Sequence, residues 1–143
     1  MTRASALGWL WRVGGAALVA VTPANAATPG FEAELVCRPE AAPGRVLCEL
    51  TCRATGSKKL SWADAIVMEA PSFVRPLRSR VAPERFGGGS PNERKLKLAL
   101  VASGPGKGAL KVKARAVLCE GTGAAERCRP ETREVSAEVL VGG

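Results

Sequence analysis

Five cysteines and no histidine set the chemistry open to this chain of 143 residues. Without imidazole there is no Ser-His-Asp or Cys-His nucleophile and no histidine metal ligand. Nor is there a side chain whose ordinary pKa makes it a switch near neutral pH. What remains is the sulfur chemistry of Cys37, Cys48, Cys52, Cys119 and Cys128. Their number is odd, so at least one thiol stays free or bonds to another chain. Cys119 and Cys128 stand on either side of a short polar stretch. A hairpin there brings their Cα atoms within bridging range, because cross-strand neighbours lie about 5 Å apart. Closing such a loop stabilises a fold by roughly 3 kcal/mol, which makes the pair a structural staple. A redox pair needs in addition a thiolate, which nearby cations favour. Arg127 and Arg129 flank Cys128, and Arg115 shares a strand face with Cys119. Glu120, Glu126 and Glu131 oppose them, leaving the local charge near neutral. Cys48 and Cys52 form C-x-x-x-C. On one strand they share a face about 13 Å apart and cannot bond to each other. One of them is expected to pair with Cys37. The other is then a buried free thiol or the site of an intermolecular disulfide. With these spacings no metal site is expected, and no cofactor.

The second group is cationic. Lys and Arg number 21 against 13 acids, a net charge of +8. Lys95, Lys97, Lys111, Lys113 and Arg115 take the outward positions of two segments expected to be neighbouring strands. Together they would form a positive patch for a polyanion, an anionic lipid or an acidic protein. The plainer account is a solvated face that keeps strand edges from pairing. Nucleic acid is disfavoured, since the chain has three Phe and no Tyr from which to build a stacking platform. Gly87–Gly89 follows no strand and opens no helix, so it is not a phosphate loop.

The elements that must position these residues begin after a leader. Arg3 and Arg12 precede the apolar run Val13 to Val21, and Pro23 and the small-residue motif Ala24-Asn25-Ala26 follow. Residues 1–26 read as a secretory signal peptide. The run is too short to span a bilayer, so no membrane span is expected in 27–143, and the protein is expected to be secreted or periplasmic. Disulfides persist in such compartments. Alternation then marks strands. Phe31 to Cys37 places Phe31, Ala33, Leu35 and Cys37 on one face. Arg45 to Ala54 does the same with Val46, Cys48, Leu50 and Cys52. A strand is expected over Ala65–Glu69, with Trp62 in the core. Residues 71–94 hold four prolines and three glycines in succession, and read as irregular with a short strand near Phe73-Val74. Lys95 to Ala102, Ala109 to Cys119 and Val135 to Val141 alternate again. About seven strands with turn signals between them predict an all-β, immunoglobulin-like antiparallel β-sandwich forming one domain over 27–143.

The stretch from Gly108 to Val141 shows an alternating strand, Cys119, a short loop, Cys128-Arg129-Pro130, a charged stretch and a final alternating strand. It resembles the end of the immunoglobulin-like N-terminal domain of DsbD-type thiol–disulfide interchange proteins. The loop is longer than in that family, and the aromatic residues that often flank its cysteines are missing. The resemblance implies a sandwich fold, with Cys119 and Cys128 as exchange cysteines. Three functions follow for test. The leading one is a non-catalytic binding or accessory module whose partner is another exported or envelope protein. The second is a periplasmic thiol–disulfide oxidoreductase domain using Cys119 and Cys128. The third is a polyanion-binding surface protein.

Overall fold

The computed structural model of the chain describes residues 30–83 and 90–143. The expected leader, 1–26, and the Gly87–Gly89 run lie outside the described residues. Among the described residues eight strands form in chain order: β1 Phe31–Cys37, β2 Gly44–Ala54, β3 Lys59–Glu69, β4 Val74–Pro76, β5 Arg80–Val81, β6 Glu93–Ala102, β7 Gly106–Glu120 and β8 Arg127–Val141. They build two antiparallel four-stranded sheets, with orders β1-β2-β6-β4 and β5-β3-β7-β8. That pairing is the layout of an immunoglobulin-like sandwich, as the alternation predicts.

Inward side chains of both sheets make one core. Val46, Leu50, Leu96, Leu98 and Leu100 of the first sheet meet Leu110, Val112, Leu118 and Val139 of the second, all essentially excluded from water. Each leucine or valine so buried contributes about 1.5–3 kcal/mol of hydrophobic stabilisation. The centre of the second sheet is lined with small residues, Ala63 opposite Ala116 and Ala65 opposite Ala114. Phe73 packs against the start of β7, where a side chain at Gly106 would meet its ring at 2.6 Å. Glycine there is a requirement of close approach.

Three segments differ from the sequence expectation. β3 begins at Lys59 rather than Ala65, and β8 at Arg127 rather than Val135. In the proline-rich region two short edge strands form: β4 pairs with β6 and β5 with β3. Trp62 is not in the core. A bulge between Leu60 and Trp62 shifts the register of β3 on β7. A one-residue shift exchanges the two faces of a strand. Beyond it Ala63, Ala65 and Val67 point inward, and Trp62, Asp64 and Ile66 point outward.

Candidate functional site

The outer face of the second sheet gathers most of the residues with chemistry. Cys119 and Cys128 oppose each other near the tip of the β7–β8 hairpin and are bonded, with Cα atoms 4.0 Å apart. Cys119 is 7% exposed, whereas Cys128 is exposed on the edge strand. A Glu126 carboxylate oxygen lies 3.4 Å from the Cys128 sulfur. The sulfur atoms of both cysteines and this carboxylate fall within 4.8 Å of one another. A metal would need thiolates, and the disulfide removes both.

Farther along the same face lies a cluster that the sequence reading missed. Asp64 is paired in register with Arg115 and has no exposed surface. Arg115 donates from Nε to Asp64 Oδ1 at 2.8 Å and from Nη2 to Oδ2. Arg80, on edge strand β5, donates from Nε to Oδ2 at 2.6 Å. Both guanidiniums also lie by the Trp62 ring, at 6.0 Å for Arg80 and 5.7 Å for Arg115, within cation–π range. Burial alone would push the Asp64 carboxyl up. The hydrogen bonds from Arg115 and Arg80, then their charges, outweigh it and hold the group below the usual carboxylate range. The hydrogen bond to Asp64 in turn raises the Arg115 pKa. The signal for this site was a lone acid inside an apolar strand, readable only once the bulge is known.

The remaining cysteines divide as the strand geometry requires. Cys37 and Cys48 are opposed in the β1–β2 ladder and bonded, with Cα atoms 4.0 Å apart. The neighbouring Arg38 N–H donates to the Leu47 carbonyl at 3.0 Å. Cys37 and Cys48 therefore occupy a non-hydrogen-bonded position, where side chains lie closest. Cys52 is free and fully buried. The intermolecular disulfide left open by the odd cysteine count is thereby corrected, because no other chain can reach this sulfur in the folded state. Burial, then the Asp64 charge, push the Cys52 thiol up to about 12.

The five expected patch cations do not form one patch. β6 and β7 belong to different sheets, so Lys95 and Lys97 face away from Lys111, Lys113 and Arg115. Lys95 pairs with Glu49 at 3.4 Å and Lys111 with Glu69 at 3.0 Å, while Arg115 is held by Asp64. Alternation correctly found their outward direction but carried no information on which sheet each strand joins.

No protein-family model and no curated protein matches the chain. Among solved structures, the chain is similar to the ASH/PapD-like domain 7 of human CEP192, at 11% identity over 90% of this chain and 96% of that one, with TM-score 0.37. It is also similar to a GH20 exo-β-N-acetylglucosaminidase from Vibrio harveyi, at 14% identity over 78% of this chain and 18% of that one, TM-score 0.38. A third is BslA, a bacterial hydrophobin, at 13% identity over 81% and 99% of the two chains, TM-score 0.35. No likeness to DsbD-type proteins is shown by them. Among the described residues no helix is long and apolar enough to cross a membrane.

Proposed function

We propose that this chain is an exported, non-catalytic binding or accessory module with another exported or envelope protein as its partner. In this reading both disulfides are staples. The observation that carries it is the placement of the bridges. Each joins residues already opposed in an antiparallel ladder, Cys37 with Cys48 and Cys119 with Cys128. Such a bond restrains the unfolded chain while asking little of the folded one. The leader-like residues 1–26 support an oxidising destination, where these bonds persist.

Thiol–disulfide exchange at Cys119–Cys128 is the second reading, supported by the exposure of Cys128. An incoming thiolate would attack the Cys128 sulfur, forming a mixed disulfide and releasing Cys119 as thiolate. The Glu126 carboxylate beside Cys128 repels that thiolate, which favours the staple. Equilibration of the oxidised protein with glutathione buffers, read by thiol-labelling mass spectrometry, separates the two. A staple has a potential below about −300 mV. A value near about −200 mV, with the fold intact in both redox states, overturns the module reading in favour of exchange.

A further inference from the structure

The outer face of the first sheet is divided in charge. At one end several of its ions are matched: Arg53 bonds Glu93 at 2.9 Å and approaches Glu32 at 3.6 Å, and Lys95 bonds Glu49 at 3.4 Å. At the other end an apolar row crosses three strands, Leu47 of β2, Ala99 of β6 and Leu77 just after β4. Leu47 and Ala99 are register partners, and the Leu77 N–H donates to the Ala99 carbonyl at 3.0 Å. Val101 lies in the next row between Arg45 and Arg75. Arg38 closes the apolar row on the β1 side through its hydrogen bond to Leu47. Leu77 is 52% and Val101 36% exposed. Arg38, Arg45 and Arg75 are exposed too, and none has an ion-pair partner among the described residues. Of the nearby acids, Glu49 holds Lys95.

An apolar patch bordered by unmatched arginines is complementary to a surface that carries carboxylates beside apolar groups. We propose that this patch docks an acidic amphipathic segment of a partner protein, its carboxylates on Arg45 and Arg75 and its apolar side chains over Leu47, Leu77 and Val101. The proposal rests on the binding-module reading and supplies its surface and partner class. Arg45 and Arg75 are two strand spacings apart, about 10 Å. Acids seven residues apart on a helix match that distance. The guanidinium fork suits carboxylate. The patch has no Trp or Tyr, the residues that favour a lipid interface, so a protein segment is favoured over a membrane.

The test uses the purified chain with both disulfides formed. The probe is a fluorescein-labelled amphipathic peptide with a leucine stripe and glutamates seven residues apart. Binding is expected by anisotropy, with NMR methyl shifts concentrated at Leu47, Leu77 and Val101. The double substitution Arg45→Glu/Arg75→Glu is expected to weaken it at least about tenfold, as truncating or reversing interface charges does. Leu77→Ser should weaken it several-fold. Lys107→Glu/Lys111→Glu, the same change in net charge on the other sheet, should leave it within about twofold, as a site remote from the interface does. Circular dichroism confirms that each variant is folded. Three outcomes overturn the proposal: the glutamine version of the peptide binds equally well, both double variants weaken binding alike, or phosphatidylglycerol vesicles bind where the peptide does not. If one of these occurs while Cys119–Cys128 still shows a staple's potential, this surface is lost and the module reading stands.

Discussion

Replacing Asp64 with asparagine keeps the size of a buried side chain and removes its charge. Asp64 accepts three hydrogen bonds from the guanidiniums of Arg80 and Arg115. Breaking a fully buried pair costs about 3–5 kcal/mol, and a hydrogen bond to a charged group is worth about 1.5–3 kcal/mol. The freed arginine side chains are 57% and 36% exposed, so they regain water. Asparagine also keeps one acceptor oxygen. These offsets bring the loss to about 2 kcal/mol at pH 7. The pH dependence fixes the cause. The folded pKa of Asp64 lies below its ordinary value, so the carboxylate stabilises the fold above the unfolded pKa of about 3.9. That contribution is lost as pH falls through the folded value. Urea titrations of both proteins at pH 7 and near pH 2 should therefore show a deficit for Asp64→Asn that shrinks in acid. The other carboxylates cancel in the difference. Far-UV circular dichroism follows the whole fold, and Trp62 emission follows the cluster. Trp62 is the single tryptophan after residue 26, since Trp9 and Trp11 lie in the expected leader. A deficit under about 0.5 kcal/mol at pH 7, the size of an ordinary surface change, refutes the argument. So does a deficit of equal size in acid.

The other predictions concern sulfur. The bridges close spans of similar length, with sequence separations of 9 and 11. Removing either pair as Cys119→Ala/Cys128→Ala or Cys37→Ala/Cys48→Ala should cost about 3 kcal/mol in urea unfolding. A loss near zero for one pair would show that its hairpin is equally restrained in the unfolded chain. Cys52, with its thiol pushed up to about 12, should resist maleimide at pH 8 in the native protein and react only on unfolding. Labelling at the native rate of an exposed thiol would contradict its burial. Cys52→Ala should cost about 1 kcal/mol and Cys52→Ser more, because the hydroxyl would be buried without an assured partner.

The strands whose two faces differ in polarity were legible. β1, β2, β6 and β7 each alternate apolar and polar residues, so period alone located them and gave the faces that carry Cys37, Cys48 and Cys119. β8 was half hidden for a physical reason. Cys128-Arg129-Pro130 and the charged stretch Glu131 to Glu134 read as lying before the last strand, yet these residues continue the ladder from Glu120–Arg127 to Gly106–Val141. β8 is an edge strand, where proline and charge are tolerated and deter pairing with other chains. β3 was hidden by its bulge. Counting by twos from Leu60 puts Trp62 and Asp64 inside, and the inserted residue puts both outside. A local irregularity of one residue therefore concealed the cluster on the second sheet. Sheet membership was hidden more deeply, because alternation is local and the assignment of β6 and β7 to opposite layers is tertiary.

That assignment changes what the net charge of +8 can do. Spread over one face, the expected five cations would act as a general field for any polyanion. Divided between two faces, several are spent internally: Arg80 and Arg115 on Asp64, Lys111 on Glu69, Lys107 on Glu138 and Lys95 on Glu49. A matched ion contributes little to attraction at a distance, since its field is cancelled within a few ångströms and screened beyond about 10 Å at ordinary salt. The arginines beside Leu77 and Val101, unmatched among the described residues, therefore weigh more than their number suggests. They stand on a sheet whose β1–β2 edge is fixed by the Cys37–Cys48 bridge, so the face they share is presented with little conformational freedom to lose on binding. Reducing that bridge should then weaken the acidic peptide more than reducing Cys119–Cys128 does, because only the first bridge lies in the sheet that carries the patch.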